Sequence, residues 1–281
     1  KHFIFKMAKQ SYENGMLPLS LREGILTLKQ KPLKPRDEVR SYRPITLLNS
    51  SYKVISAAIA NKIKKVLPDV VSSEQTGFMK NRFLGDNSRL TYDLIQLLKK
   101  EERRALFLSL DIQDAFNSVN WDFIRIMLRK LNFSEFCIRW FNTFCCDSEA
   151  RLVYNGHISK KIRLERSCRQ GDPLSPYIFV LVMGALLERI KQNTLIQGVK
   201  IGDLEFKVSA YADDTLCYLD GSVNSCRALF DDLGVFAKFS GLKPNINKTQ
   251  AFWVGKDAVS QEPICLDINM KWTKKMKVLG I

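Results

Sequence analysis

The chain has 281 residues, of which 46% are hydrophobic and 26% are charged, and this balance is typical of a globular protein. This length is sufficient for one large domain or for two closely joined subdomains. Lys and Arg total 44 against 29 Asp and Glu, giving a formal net charge of +15, which favours a polyanionic partner such as nucleic acid. A ribosomal or chromatin-like binder, or simply a soluble basic surface, would share this charge, so charge alone does not choose between them.

Other residue types exclude several classes of protein. No apolar run reaches the roughly 20 residues that span a bilayer, and the opening Lys1–Phe5 is too short for a signal-peptide core, so no membrane partner is expected. Since the chain starts without Met, we expect it to be cut from a longer polyprotein. The seven Cys are scattered and include no C-x-x-C pair, which argues against a zinc site or a disulfide framework. With only His2 and His157 available, carboxylates and lysines are the expected catalytic groups.

The first third of the chain predicts helices around a basic strip. Helical and turn signals alternate up to about Leu28. From Lys29 to Arg43 the chain is basic and carries two prolines, Pro32 and Pro35, which predict an extended or looped strip rather than a helix. Apolar residues then recur at helical spacing over 50–67, and 87–100 also has a helical pattern.

The rest of the chain alternates short apolar runs with helical patterns. Asn155-Gly156 is a hairpin signal, and Asp172-Pro173 predicts the start of a long helix. We expect strands at 106–110, 206–210, 215–219 and 251–254 and further helices at 121–131, 135–144 and 222–239. The natural packing of this order is an α+β fold in which helices back a four-stranded antiparallel sheet.

Three acids suggest a metal site. Asp213 and Asp214 lie between apolar strands, where carboxylates are costly to bury unless something neutralises them. Acids are common in turns, but a two-residue hairpin turn usually contains Gly or Asn, which are missing here. Asp111, at the exit of its own predicted strand, would supply a third carboxylate. Such hard oxygen ligands suit Mg²⁺, and two ions about 3.5–4 Å apart can promote phosphoryl transfer.

Several blocks, in family order, resemble the reverse transcriptases of LINE-type non-LTR retrotransposons. The most specific are the Tyr-x-Asp-Asp block at 211–214 and Arg-Gln-Gly-Asp-Pro at 169–173. The others are Leu110-Asp111-Ile112-Gln113-Asp114-Ala115-Phe116, Ser41-Tyr42-Arg43-Pro44-Ile45, Gln75-Thr76-Gly77-Phe78 with Asn81-Arg82, Gly241-Leu242-Lys243-Pro244-Asn245 with Asn247-Lys248-Thr249, and Leu279-Gly280-Ile281.

This resemblance implies a right-hand polymerase with fingers and palm. Residues 1–105 would form the fingers, with an N-terminal extension and the basic loop. Residues 106–281 would form the palm, interleaved with a fingers hairpin near 150–170 and ending at the primer grip. The thumb would follow the primer grip and is therefore expected to be absent from this chain, as is an upstream endonuclease.

The resemblance also implies the roles of individual residues. Asp111 and Asp213 would bridge two Mg²⁺ ions, with Mn²⁺ as an alternative ion, and Asp214 would assist on the primer side. Phe116 would exclude a 2′-hydroxyl, so that the product is DNA. The nucleotide would be bound by Lys31 and Arg43 at the triphosphate, by the backbone at Asp114 and Ala115, by Gln170 and Gly171 over the new base pair, and by Lys248 near the leaving pyrophosphate.

Without the resemblance, these residues have simpler interpretations. Phe116 would be a core aromatic, the basic strip a solvated surface, and Asp172-Pro173 only a helix cap. Asn117 departs from the family, which often has a second Asp there, but that position is not a metal ligand.

The implied partners are an RNA template, a DNA primer or nicked target DNA, and dNTPs, with work in the nucleus and assembly in the cytoplasm. The oligomeric state is not predicted. Tyr211 and Phe116 argue against a viral RNA polymerase, and the blocks at 42–45 and 75–78 are more LINE-like than those of a group II intron maturase. A basic RNA-binding module without catalysis is the alternative from another class.

Overall fold

A computed structural model describes residues 2–256, 264–265 and 267–273 of the chain. The predicted primer-grip residues Leu279-Gly280-Ile281 lie outside this part. In the part described, no helix is both long and apolar enough to cross a membrane. The helices are α1 (His2–Asn14), α2 (Leu19–Arg22), α3 (Ser50–Val70), α4 (Leu84–Lys100), α5 (Ala115–Ser118), α6 (Trp121–Lys130), α7 (Glu135–Cys145), α8 (Ser175–Gln192) and α9 (Val223–Ser240), with a short 3-10 turn at Val39–Ser41.

The chain is divided into two compact units, each built from two separate stretches of sequence. The first contains Lys1–Val66 and Phe116–Phe179, and the second contains Leu67–Ala115 and Val180–Ile281. The strands are β1 (Glu23–Gln30), β2 (Tyr42–Leu47), β3 (Arg104–Leu110), β4 (Glu149–Tyr154), β5 (His157–Ile158), β6 (Ile162–Arg163), β7 (Val199–Ile201), β8 (Leu204–Phe206), β9 (Val208–Tyr211), β10 (Asp214–Leu219), β11 (Gln250–Gly255) and β12 (Lys271–Trp272).

The first unit contains a mixed sheet in the order β2-β1-β4-β5, with β6 also paired to β4. Strands β1 and β2 are antiparallel and carry the two ends of the basic strip, since Lys29 pairs with Arg43. The extended, looped strip is therefore confirmed. Between β4 and β5, Asn155 and Gly156 have φ angles of 49° and 79°. Positive φ at both positions is the requirement of a tight two-residue hairpin, so this hairpin is also confirmed.

The second unit contains a five-stranded sheet in the order β12-β11-β3-β10-β9. The four strands from β11 to β9 are antiparallel, as the sequence predicts. The prediction of four strands was incomplete because β12, only two residues long, adds in parallel to β11. A strand of this length has too few residues to show an alternating pattern.

Helix α4 covers the buried face of this sheet. Leu94 and Leu98, four residues apart on α4, pack with Phe107 of β3 and with Leu216 and Tyr218 of β10. All five are almost completely buried. Burying each such side chain stabilises the fold by about 1.5–3 kcal/mol relative to leaving it exposed. The predicted α+β architecture, with a helix packed on an antiparallel sheet, is thus confirmed.

Two predicted element boundaries were wrong. Helix α8 begins at Ser175, not at Asp172-Pro173, because the Asp172 carboxylate accepts hydrogen bonds from Ser56 Oγ as well as from the Leu174 amide at 3.2 Å and Ser175 Oγ at 2.9 Å. Asp172 therefore ties the loop before the helix to α3. The strand predicted at 206–210 is interrupted at Lys207, whose buried Nζ donates to the carbonyls of Lys191 and Asn193.

Candidate active site

The Asp-Asp pair lies at the hairpin between β9 and β10, in the second unit. Tyr211 pairs with Asp214, so the turn itself consists of Ala212 and Asp213, and Asp214 is the first residue of β10. Ala212 has a φ of 58°, a left-handed conformation that L residues other than Gly, Asn and Asp rarely adopt. The turn therefore has the backbone shape that favours glycine without having the glycine.

The adjacent strand β3 brings Asp111 to the same end of the sheet. Leu110 pairs with Thr215 across β3 and β10, so the next residue along β3 lies beside Asp214. Asn245 holds Asp111 twice: its Nδ2 donates to Oδ2 at 2.8 Å, and its backbone N–H donates to the Asp111 carbonyl at 2.7 Å. Lys248 Nζ lies 3.9 Å from Asp111 Oδ2.

The three carboxylates influence one another. The pKa of Asp214 is raised above its usual value, first by burial and then by the negative charges of Asp213 and Asp111. A carboxylate whose ionised form is disfavoured by two like charges is a group that a cation would stabilise. The charges of Asp213 and Asp111 thus act on Asp214 at this end of the sheet.

The donor atoms fit a hard divalent cation, although the protein supplies no closed cage. Among the residues described, no group of three or more His, Cys, Asp or Glu side chains is placed so that it could hold a metal ion by itself. Mg²⁺ commonly takes one or two carboxylates and fills its other positions with water and substrate phosphates. The carboxylates at the ends of β3 and β10 match that pattern in ligand type.

The segment after β3 places two more predicted residues. Gln113 N–H donates to the Lys243 carbonyl at 2.9 Å, which anchors the chain beside the loop that holds Asn245. Asp114 follows with a φ of 43° and an exposed side chain, while Ala115 is buried and starts α5. The positive φ of Asp114 turns the chain away from the direction of β3 just before α5 begins.

Phe116 lies in the first unit and is fixed by another aromatic ring. Its ring stacks on Phe179 of α8 with a centroid distance of 4.3 Å and an interplanar angle of 15°. The backbone carbonyl of Phe116 accepts from the Cys168 amide at 2.6 Å, which connects it to the loop that precedes Gln170. A stacked, half-buried ring has little rotational freedom, as a steric gate requires.

Gln170 and Gly171 pack against β2. The Gln170 carbonyl accepts from the Thr46 amide at 2.8 Å. Gly171 has a φ of 112°, and a Cβ placed on it would lie 2.5 Å from the Thr46 carbonyl oxygen. Only glycine satisfies both the backbone angle and this close approach.

The other predicted residues of this unit are Lys31, directly after β1, and Arg43, in β2. Lys31 Nζ donates to the Arg40 carbonyl at 2.9 Å, and Arg43 is exposed on β2.

The structure therefore gathers Asp111, Asp213, Asp214 and Lys248 in the second unit, with Asp114 and Ala115 directly after β3. Lys31, Arg43, Phe116, Gln170 and Gly171 belong to the first unit. Sequence reasoning did not assign a role to Asn245, although this residue lies inside a recognised block. Its contact with Asp111 is visible only in the structure, because an Asn in a loop has many ordinary uses.

Comparison with known proteins agrees with this geometry. Residues 29–281 match the family "Reverse transcriptase (RNA-dependent DNA polymerase)". The transposon TX1 uncharacterized 149 kDa protein of Xenopus laevis is 27% identical over 277 residues, covering 98% of this chain and 21% of that protein. The Pol polyprotein of element R2DM from Drosophila melanogaster is 24% identical over 288 residues, covering 95% of this chain and 26% of that protein.

The structural similarity extends to a telomerase. The structure of apo telomerase from Candida tropicalis, truncated from its C-terminal domain, superimposes with a TM-score of 0.60 at 10% identity, covering 93% of this chain and 57% of that one. At this identity the similarity shows a shared fold alone. The chain spans only 21% and 26% of the lengths of the two curated relatives. The family predicted from the sequence blocks is confirmed: the chain belongs to the reverse transcriptase family and is of the LINE type, related to non-LTR retrotransposon proteins.

Proposed function

We propose that the chain is the catalytic part of an RNA-directed DNA polymerase of a non-LTR retrotransposon. It would add nucleotides from dNTPs to a primer 3′-hydroxyl, with RNA as the template. The observation that carries the proposal is the convergence of three carboxylates at one end of the second unit's sheet, in a chain of the reverse transcriptase family.

In this reaction, Asp111 and Asp213 would hold two Mg²⁺ ions, with Mn²⁺ as an alternative, and Asp214 would assist on the primer side. When bound, such ions activate the attacking hydroxyl and stabilise the leaving pyrophosphate. Asn245 would keep the Asp111 carboxylate in one orientation through the 2.8 Å hydrogen bond. Lys248 would donate a proton to the pyrophosphate oxygen as its bond to the α-phosphorus breaks.

The remaining residues would bind and select the nucleotide. Arg43, exposed on β2, would contact the triphosphate, and Lys31 would join it by exchanging its bond to the Arg40 carbonyl for a phosphate oxygen. The backbone at Asp114 and Ala115 would also meet the triphosphate. Phe116 would lie under the sugar and exclude the 2′-hydroxyl. Gln170 and Gly171 would shape the pocket over the new base pair.

The right-hand division into fingers (1–105) and palm (106–281) is part of this proposal. The hairpin near 150–170 supports it, because β4 pairs with β1 and so joins the sheet formed by N-terminal residues. The further partners would be the DNA primer or nicked target DNA, and activity would take place in the nucleus after assembly in the cytoplasm.

Primer extension on an RNA template with Mg²⁺ tests the proposal, using the whole protein that carries these residues and either dNTPs or rNTPs. We expect a DNA product from the parent and a loss of at least about a hundredfold in Asp213→Ala. The matched control is Asp203→Ala, which removes an exposed acid outside the candidate site and should leave extension unchanged. RNA product would identify an RNA polymerase instead. No product from a folded parent that binds RNA would favour the non-catalytic binding module.

A further inference from the structure

We propose that Gln75 is a positioning residue that holds the turn bearing Asp213 and Asp214 in its metal-binding shape. This inference rests on the proposed function, because it concerns the same carboxylates. Gln75 lies in the segment between α3 and α4 of the second unit and is completely buried. A buried glutamine amide needs partners for its oxygen and its nitrogen, and here both lie on or beside the turn.

The Gln75 side chain forms hydrogen bonds with both the N–H and the carbonyl of Ala212. Its Oε1 accepts from the Ala212 amide at 2.8 Å, and its Nε2 donates to the Ala212 carbonyl at 3.1 Å. The same Oε1 also accepts from the Gly77 amide at 2.9 Å. The side-chain amide thus pairs with the backbone of the one residue that precedes Asp213. Two hydrogen bonds to one residue fix the orientation of both of its peptide groups.

The backbone around Gln75 runs along the free edge of β9. The Ala210 amide donates to the Glu74 carbonyl at 2.8 Å, and the Thr76 amide donates to the Ala210 carbonyl at 2.9 Å. These bonds form a parallel bridge between Gln75 and Ala210. Asn87 Nδ2 also donates to the Ala210 carbonyl, at 2.9 Å. Residues 74–76 therefore act as a short additional strand that is locked beside the hairpin.

Two nearby residues, Gly77 and Arg82, allow and stabilise the close approach of this segment to the turn. A Cβ on Gly77 would lie 2.2 Å from the Ala212 nitrogen, so only glycine allows the contact. Arg82 holds the start of the segment: its guanidinium donates to the carbonyls of Val71 at 3.1 Å and Gln75 at 2.8 Å. Gln75 is thereby fixed at its backbone while its side chain fixes Ala212.

The turn needs this support because Ala212 has a φ of 58°. An alanine in the left-handed region is strained by its Cβ, and such strain persists only where surrounding contacts impose it. The hydrogen bonds from Gln75 are the contacts that impose it here. If they were lost, Ala212 would relax toward a negative φ and the two carboxylates that follow would be re-aimed.

The test is the Mg²⁺ dependence of primer extension by Gln75→Met, which keeps the apolar volume and removes the three hydrogen bonds. We expect the Mg²⁺ concentration for half-maximal activity to rise about 10- to 100-fold, as when a group that orients a metal ligand is lost. Adding Ala212→Gly to this variant should recover a large part of the loss, because glycine adopts a positive φ without strain. A purely structural role of Gln75 would not be rescued in this way.

Arg189→Met is the matched control for general destabilisation. It removes a charged pair with Asp232, in which Arg189 Nη2 lies 2.6 Å from Oδ1, within the same unit. We expect it to lower the melting temperature without moving the Mg²⁺ midpoint. An unchanged Mg²⁺ midpoint in a folded Gln75→Met protein would overturn the inference.

Amide hydrogen exchange separates this inference from the proposed function. The Ala212 and Gly77 amides should exchange slowly in the parent and at least about tenfold faster in Gln75→Met, whether or not the protein is a polymerase. An inactive parent with this exchange pattern would overturn the proposed function and support the positioning role of Gln75. An active parent in which the Ala212 amide exchanges at a rate that does not depend on Gln75 would support the proposed function and overturn the positioning role of Gln75.

Discussion

The proposed role of Phe116 in sugar selection depends on one contact of its ring. The ring is stacked on Phe179 at 4.3 Å, so it cannot rotate away from a bulkier sugar. We expect Phe116→Val to incorporate rNTPs more readily, with the preference for dNTPs falling about 10- to 200-fold, the range that a change in pocket size can produce. The measurement is kcat/KM for a dNTP and the matching rNTP. Phe179→Leu, which loosens the ring without removing it, should give a smaller shift in the same direction, and an unchanged preference in Phe116→Val would contradict the gate.

The buried environment of Asp172 leads to a prediction about how the stability of the fold depends on pH. Burial raises the pKa of this carboxyl, and the hydrogen bonds from Ser56, Leu174 and Ser175 and the charge of Arg169 offset the effect only in part. The folded state therefore binds the proton more tightly than the unfolded state. Protonation of Asp172 therefore stabilises the fold. This stabilisation is complete at pH values below the pKa of Asp172 in the unfolded state, and it is lost as pH rises through its higher pKa in the folded state.

Asp172→Asn isolates this effect, because asparagine cannot titrate and keeps an oxygen for the Leu174 amide. We expect the free energy of unfolding of the parent, minus that of the variant, to decrease as pH rises from about 4 to about 7. Urea unfolding at several pH values measures the difference. Parallel curves for the two proteins would show that the pKa of Asp172 is not shifted on folding.

At the scale of elements, the loop before α8 depends on one glycine. Gly171 combines a φ of 112° with a position where a Cβ would lie 2.5 Å from the Thr46 carbonyl oxygen of β2. We expect Gly171→Ala to reduce the free energy of unfolding by about 2 kcal/mol or more, because backbone strain and overpacking add. Denaturant unfolding measures it. Gly156→Ala is the matched control, since Gly156 also has a positive φ of 79° but nothing within 4 Å of a Cβ, and it should cost only about 1 kcal/mol. Equal losses would mean that the contact with Thr46 is unimportant.

The elements that sequence reasoning predicted are those whose signals are local. Helix α9 begins after Ser222, whose side chain accepts from the Ser225 amide, and ends at Gly241 with a φ of 81°. Both the cap and the glycine are visible in the sequence. The Asn155-Gly156 hairpin and the strand before Asp111 are signalled by local residues in the same way.

The elements that were missed depend on contacts far apart in sequence. The start of α8 is displaced because Asp172 bonds to Ser56, 116 residues away. The strand predicted at 206–210 is divided at Lys207 because the residues before it pair with β7 and those after it pair with β10. In the candidate site, the blocks located the acids, whereas the residues that orient them, Asn245 and Gln75, were recognised only as members of blocks. An amide side chain carries no spacing signal that identifies its partner.

At the scale of the whole molecule, the formal net charge of +15 favours contacts with the phosphates of a nucleic acid, and such contacts make binding depend on salt. Each phosphate that a Lys or Arg neutralises releases counterions, so the logarithm of the binding constant falls linearly with the logarithm of salt concentration. The loop between β1 and β2 carries Lys34, Arg36 and Arg40, all exposed. An exposed, basic loop beside β2 is well suited to contact a phosphate backbone rather than base edges.

Replacing Lys34, Arg36 and Arg40 together by Gln should therefore weaken binding to an RNA–DNA primer-template equally for all sequences. We expect the slope of log Kd against log salt concentration to fall by about one for each side chain that contacts a phosphate, and so by up to about three. Fluorescence anisotropy between about 50 and 200 mM salt gives the slope. A control variant with Gln at Lys99, Lys100 and Lys238 loses the same charge from exposed positions on α4 and α9. If the loop contacts phosphates directly, only the loop variant reduces the slope, whereas equal reductions in both variants would mean that overall charge alone attracts the nucleic acid.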